Sequence, residues 1–267
     1  MTSSYHPRLS GTPYQKLIHD ANSSLRFLEL ECVALHAGGE WTRPADGREV
    51  VIVPLAGAGT VSVAGVATLT GRIAREDVFT ASPSTAYVPP AHTVSVTADD
   101  GLEAVVVSAP WPASAARPML LPADAVAVTT VGSGDWQRTV RMLFGPDGVT
   151  ARLLVGETIN PPGKWSGMPP HRHDRAGPEE SQLEEVYYFR LSPPDGYLVQ
   201  LYYDRNGWHA EDLITGEGAV TITRGYHPTV AFPGTTGFYL WALAGPEKTY
   251  KISIDPAFEW MRAEARS

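Results

Sequence analysis

The sequence predicts an all-β protein, and three observations carry that reading. Short runs rich in Val, Ile, Leu, Thr and Tyr recur along the chain, each of strand length and each bounded by turn residues. The 23 prolines and 25 glycines are spread evenly, which breaks up any long helix. The two halves also carry similar short motifs, as a duplicated β unit would. In order, the expected strands are Glu49–Leu55, Thr60–Val63, Thr93–Thr97, Glu103–Ser108, Thr150–Gly156, Glu185–Leu191, Leu198–Tyr203, Ala219–Thr223, Gly237–Ala242 and Thr249–Ile254. Many short strands with regular turns describe a sandwich or barrel. One short helix is expected at the tail: Asp255 can cap it, Pro256 fits its first turn, and Phe258, Trp260 and Met261 can dock it.

Pro110–Pro122 carries four prolines and little regular pattern, which marks it as the linker. The chain is therefore read as two barrels, residues 1–115 and 116–267. Gly39-Glu40-Trp41 resembles Gly163-Lys164-Trp165. Glu49-Val50-Val51-Ile52-Val53-Pro54-Leu55 resembles Glu185-Val186-Tyr187-Tyr188-Phe189-Arg190-Leu191. Val88-Pro89-Pro90-Ala91-His92 resembles Thr223-Arg224-Gly225-Tyr226-His227.

Composition narrows the function classes. A formal net charge of −8, with no Lys/Arg-rich run, argues against nucleic acid and anionic membrane as partners. Met1 to Lys16 has no apolar core of signal-peptide length, and no stretch approaches the length of a membrane-spanning helix. The single cysteine, Cys32, rules out an intramolecular disulfide and lies in the apolar run Leu28 to Leu35, as a buried structural thiol would. The expected compartment is the cytoplasm. A β protein with a spare barrel and sheet edges is expected to form a homo-oligomer.

The chemistry gathers in the second half. His171-Arg172-His173, then Glu185, then His227 offer three imidazoles and one carboxylate, a ligand set for a divalent first-row metal. Strand alternation lets His171 and His173 share a face while Arg172 points away. Glu185 heads an apolar strand with Tyr187 and Phe189 on its face, and is preferred over Glu184. His227, between Gly225-Tyr226 and Pro228, closes a turn. A barrel brings such distant segments together and leaves an open mouth. The first half keeps Glu49 and His92 but reads Thr42-Arg43-Pro44 where the two histidines would stand. Two ligands rarely hold a metal, so the first barrel is expected to be a structural or dimerising copy. Ligand type alone does not choose among zinc, manganese, iron, cobalt and nickel; zinc is the expected ion, and the missing thiolates argue against a closed structural zinc site. Glu179 and Glu180 lie in a polar loop and are expected to be solvated. Arg172, Arg190 and Arg224 flank the ligand segments as candidates for a substrate carboxylate, with surface salt bridges as the competing reading.

At these residues the chain resembles the 5-deoxy-glucuronate isomerase family of inositol catabolism. The likeness rests on Pro169-Pro170-His171-Arg172-His173-Asp174, on Leu183-Glu184-Glu185-Val186-Tyr187-Tyr188-Phe189-Arg190 and on Arg224-Gly225-Tyr226-His227-Pro228. Val155-Gly156-Glu157, Gly163-Lys164-Trp165, Ala244-Gly245-Pro246 and Tyr87-Val88-Pro89-Pro90 support it. The polar loop from Asp174 to Leu183, Gly216-Glu217-Gly218-Ala219 and Trp241 depart from the pattern. The resemblance implies two cupin barrels in tandem, with the metal on His171, His173, Glu185 and His227. It implies a metal-dependent aldose–ketose isomerisation of a small-molecule sugar acid, 5-deoxy-D-glucuronate to 5-dehydro-2-deoxy-D-gluconate. Lys164, Asp174 and Tyr187 are the candidates for the base needed at C2, with a hydride shift from C2 to C1 as the alternative that needs none. The competing readings are a uronate ketol-isomerase of pectin breakdown, a cupin dioxygenase and a non-catalytic sugar-acid binder.

Overall fold

The structure is a computed structural model and describes residues 4–65, 67–111 and 116–264, the last two of these as backbone only. It divides into two compact units that exchange segments. One holds Arg8–Ala127 with Leu143–Leu154; the other holds Met1–Pro7, Val128–Met142 and Val155–Ser267. A single cut after residue 115 does not describe this division, because the N-terminal strand and the 143–154 segment each pair outside their own half of the sequence. Of the expected linker, residues 112–115 lie outside the described residues, and Met119–Leu121 is a strand paired with Thr85–Val88. Among the described residues no helix is long and apolar enough to cross a membrane.

The first unit is built on two long antiparallel strands, Arg48–Gly65 and His92–Pro110. Four of the expected strands fuse into these two, because the turn-forming residues between them act as bulges rather than turns. The register shifts between Pro54 and Ala56 and again between Ala58 and Gly59, and such shifts bend a strand without ending it. Gly57 sits at the bend with φ +83°, and a Cβ there would lie 2.1 Å from the Gly101 carbonyl oxygen. Only glycine fits both demands. The strands Glu29–His36, Tyr14–Ile18, Glu40–Arg43, Leu69–Arg75, Thr85–Val88 and Met119–Leu121 complete the sheet. Val50, Ile52, Val61, Val63, Ile73, Val94, Val96 and Val106 fill the core. Glu29–His36 contains Cys32, which is buried as a free thiol.

The second unit places a seven-stranded sheet against a four-stranded one. The seven-stranded order is Tyr5–Pro7, Gly218–Ile222, Glu184–Ser192, Thr236–Ala244, Leu154–Asn160, Arg138–Phe144, Ala127–Val131. The four-stranded order is Trp165–Ser166, Thr229–Ala231, Leu198–Tyr203, His209–Ile214. Between them lie Tyr187, Phe189, Leu191 and Tyr239 from one sheet and Leu198, Tyr202, Ile214 and Ala231 from the other. The central strand Glu184–Ser192 is buried on both faces, which is why its sequence is almost continuously apolar rather than alternating. Gly156 is needed on Leu154–Asn160, beside Thr236–Ala244: a Cβ there would lie 2.2 Å from the Trp241 ring. At the tail, Asp255 caps a 3-10 turn, Pro256–Phe258, by accepting from the Ala257 N–H, and a short helix Met261–Glu264 follows. Met261 docks at 1% exposure, but Trp260 is 55% exposed and only edges the Trp136 ring.

Candidate metal centre

Three segments of the second unit deliver the candidate ligands. His171–Arg172 forms a two-residue strand paired with Ser253–Ile254, and His173 follows it into the interior. Glu185 enters from the central strand with Tyr187 and Phe189 on the same side, while Glu184 is only half-buried. His227 comes from the turn after Gly225. One ligand atom from each of His173, Glu185 and His227 lies within 4.8 Å of the others, and all three residues are buried. The His171 ring stands beside this trio, its centre 5.0 Å from that of His227 and 6.4 Å from that of His173.

The hydrogen bonds fix what each imidazole can offer. Nδ1 of His171 donates to the Pro169 carbonyl at 3.0 Å, Nδ1 of His173 to Leu183 at 3.0 Å, and Nδ1 of His227 to Gly225 at 2.9 Å. A carbonyl can only accept, so each Nδ1 carries the proton and each neutral ring presents a bare Nε2. Nε2 of His173 and of His227 then lie 3.1 Å and 3.3 Å from one oxygen, Glu185 Oε2. Lone pairs facing a carboxylate oxygen in a buried site repel unless a cation or a proton lies between them. His227 Nε2 is buried and makes no hydrogen bond. The donor set, the fixed tautomers and this orphaned nitrogen fit a divalent metal, and the backbone carbonyls serve as the outer partners that hold such ligands.

The protonation tendencies of Glu185 and His171 fit the ligand forms, whereas His173 leans toward its charged form beside Glu185. Burial pushes Glu185 up, but the contacts from His173 and His227 outweigh it and hold the carboxyl down to about 2. Burial, helped by His227, pushes His171 down to about 3, so that ring is neutral. His173 is raised against its burial because Glu185 stabilises its charged form. Burial and Glu185 push the Tyr187 phenol well above its ordinary value, so it stays protonated.

The remaining sequence-predicted residues are placed as follows. Tyr187 is at the centre, its ring centre 6.4 Å from that of His227 and 4.6 Å from that of Tyr239. Lys164 is not directed to the centre; its Nζ reaches exposed Asp135 at 3.3 Å. Asp174 is a brace rather than an acid or base at the centre: its Oδ2 accepts the Gly225 N–H at 2.7 Å and holds the turn that carries His227. The three flanking arginines are engaged elsewhere, Arg172 with Glu180 at 3.2 Å, Arg190 with Glu217 at 3.0 Å and Arg224 with Asp204 at 2.9 Å. Arg172 and Arg224 also cover the rings of Tyr226 and Trp208. Strand alternation turns such neighbours of an inward ligand outward. Glu180 is not solvated: it is buried and accepts the backbone N–H groups of Asp174 and Arg175 as well as Arg172, so it organises the loop. Spacing within a polar loop gives no signal of such an inward turn.

In the first unit the counterparts are saturated. Glu49 accepts from the N–H groups of Ala151, Arg152 and Leu153 at 2.6, 2.7 and 2.8 Å and from the Tyr87 hydroxyl at 3.1 Å. Nδ1 of His92 donates to the Pro90 carbonyl at 2.9 Å, and its Nε2 accepts the Ala67 N–H at 3.1 Å. Neither has a lone pair directed at open space.

The KduI/IolB family model matches residues 6–261. The chain belongs to the KduI/IolB family. Its similar relatives include the 5-deoxy-glucuronate isomerases of Geobacillus thermodenitrificans, 37% identical over 70% of this chain and 69% of that protein, and of Bacillus subtilis strain 168, 33% identical over 92% of this chain and 93% of that protein. A crystal structure of an IolB-like protein from Salmonella typhimurium LT2 superposes with a TM-score of 0.89 at 27% identity, over 96% of this chain and 99% of that one. Oxalate decarboxylase from Lactobacillus farciminis superposes at 0.64 with 10% identity over 94% of this chain and 90% of that one, which shows a shared fold: tandem cupin barrels. As a member of this family the chain is read as an isomerase.

Proposed function

We propose that the protein converts 5-deoxy-D-glucuronate to 5-dehydro-2-deoxy-D-gluconate, an aldose–ketose isomerisation of myo-inositol catabolism, with a divalent metal held by His171, His173, Glu185 and His227. The observation that carries this reading is His173 and His227 around one buried carboxylate, Glu185, with His171 beside them and each imidazole's Nδ1 committed to a carbonyl. The relatives named 5-deoxy-glucuronate isomerase supply the substrate. When bound, a divalent cation supplies Lewis acidity for the negative charge that develops on the C1 and C2 oxygens.

The chain's own residues supply position and protons. The carbonyls of Pro169, Leu183 and Gly225 lock the three rings. Glu185 contributes one negative charge, so a divalent site stays near +1 and attracts an anionic sugar. Tyr187 keeps its proton at Oη and serves as a hydrogen-bond donor to a developing oxyanion, not as a base. The aromatic wall of Tyr187, Phe189 and Tyr239 limits water around that donor.

The test is direct. Purified protein is incubated with 5-deoxy-D-glucuronate and followed by proton NMR, before chelation, after chelation and after restoring zinc or manganese. Conversion that stops on chelation and returns with metal is expected. No conversion by the metal-replete protein, or conversion unaffected by chelation, overturns the proposal.

A further inference from the structure

Arg172, Arg190 and Arg224 are all paired with acidic side chains, so none of them offers a free fork to an anionic sugar. Arg138 differs. It lies at the start of the strand Arg138–Phe144 in the seven-stranded sheet and is half-buried. Its Nη1 donates to the Trp136 carbonyl at 3.1 Å and its Nη2 to the Met168 carbonyl at 3.0 Å. Among the described residues no carboxylate pairs with it. A guanidinium has five N–H groups, and two carbonyls leave the rest of the fork to be satisfied. A half-buried cation with only neutral acceptors keeps part of its fork unsatisfied, and an anionic ligand supplies the missing partner.

Its position ties it to the metal centre. Met168 is bonded to Pro169, whose carbonyl holds Nδ1 of His171, so the Arg138 fork is anchored to the same short segment as a proposed ligand. The phenols of Tyr187, Tyr239 and Tyr250 lie close enough to perturb the charge of Arg138, and burial lowers the arginine without neutralising it.

We propose that Arg138 is the receptor for the carboxylate of the sugar acid, gripping it through the guanidinium edge that the two carbonyls leave free. A monosaccharide acid then presents its planar anionic end to Arg138 and its oxygen-bearing other end to the metal centre. The planar fork suits a carboxylate in particular. The inference rests on the isomerase reading only for the identity of the substrate; the anion site itself stands on the placement of Arg138.

The experiment is a binding cycle on the metal-loaded full chain, read by calorimetry. D-Glucuronate and its neutral amide, D-glucuronamide, are titrated into wild type, Arg138→Gln and Arg138→Lys. Wild type should prefer glucuronate by about 30-fold, the size expected for a desolvated charged pair. Arg138→Gln should erase that preference and leave glucuronamide binding and metal content unchanged. Arg138→Lys keeps the charge but loses the fork, and should retain part of the preference. A purely structural role for Arg138 would weaken both ligands equally and leave the preference intact. An intact preference in either variant, or none in wild type, overturns the proposal. An Arg138-dependent preference with no turnover of 5-deoxy-D-glucuronate would sink the isomerase reading and leave this one standing. Should Arg138→Gln not fold, the Arg138→Lys preference alone decides.

Discussion

Glu49 has the sequence look of a second metal ligand, and its replacement separates a structural carboxylate from a catalytic one. The side chain is fully buried. Oε1 accepts from Arg152 and Leu153, and Oε2 from Ala151 and the Tyr87 hydroxyl. In Glu49→Gln one oxygen becomes an NH2 group. Whichever way the amide turns, two donors face another donor. Hydrogen bonds to a charged group contribute about 1.5–3 kcal/mol each, so losing two costs about 3–6 kcal/mol. For a domain of this size each kcal/mol moves the midpoint by about 3 °C, so a fall of roughly 10 °C or more is expected. The assay is thermal melting with elemental analysis of the same folded sample. Metal content per chain should not change, because the 151–153 backbone, not a cation, occupies this carboxylate. An unchanged melting midpoint, or a drop in metal content, refutes the reasoning.

Three further outcomes follow from local contacts. Asp174→Ala removes the 2.7 Å acceptor of the Gly225 N–H and loosens the turn that carries His227; metal affinity should fall about 10-fold or more in a competition titration with a chelating dye, and an unchanged affinity would count against the bracing role. Gly156→Ala drives a Cβ to 2.2 Å from Trp241 and 2.7 Å from the Arg141 carbonyl oxygen, so it should cost about 1–3 kcal/mol in urea denaturation, whereas a neutral result would mean the strand and ring separate freely. Asp255 accepts from the Tyr203 hydroxyl, Arg205 and the Ala257 N–H, and these outweigh its burial and hold its carboxyl below the ordinary range. Its stabilising contribution is therefore complete above about pH 4 and is lost as pH falls through the depressed folded value. Asp255→Asn should cost about 1–2 kcal/mol at pH 7, discounted because Arg205 is more than half exposed, and the gap to wild type should close in acid; a gap that widens there would contradict the assignment.

The sequence by itself determined the fold class, because alternating and continuous apolar runs are local signals that each strand carries alone. It also determined the candidate ligands, since the chain has only eight histidines and three of them fall in the two short motifs that flank Glu185. Strand ends were less legible. The stretches 56–59 and 98–102 look like turns, yet bulges carry the backbone through, and a bulge is set by the partner strand. The roles of charged residues were decided by tertiary structure alone. Glu49 and Glu185 head similar apolar strands, but one meets three backbone N–H groups and the other meets imidazoles with bare nitrogens. Arg172, Arg190 and Arg224 sit next to the motifs and point at acids, whereas Arg138 sits in no motif and points at neutral carbonyls. A charge is defined by what surrounds it, and those surroundings come from segments tens of residues away that only the folded barrel brings within a few ångströms.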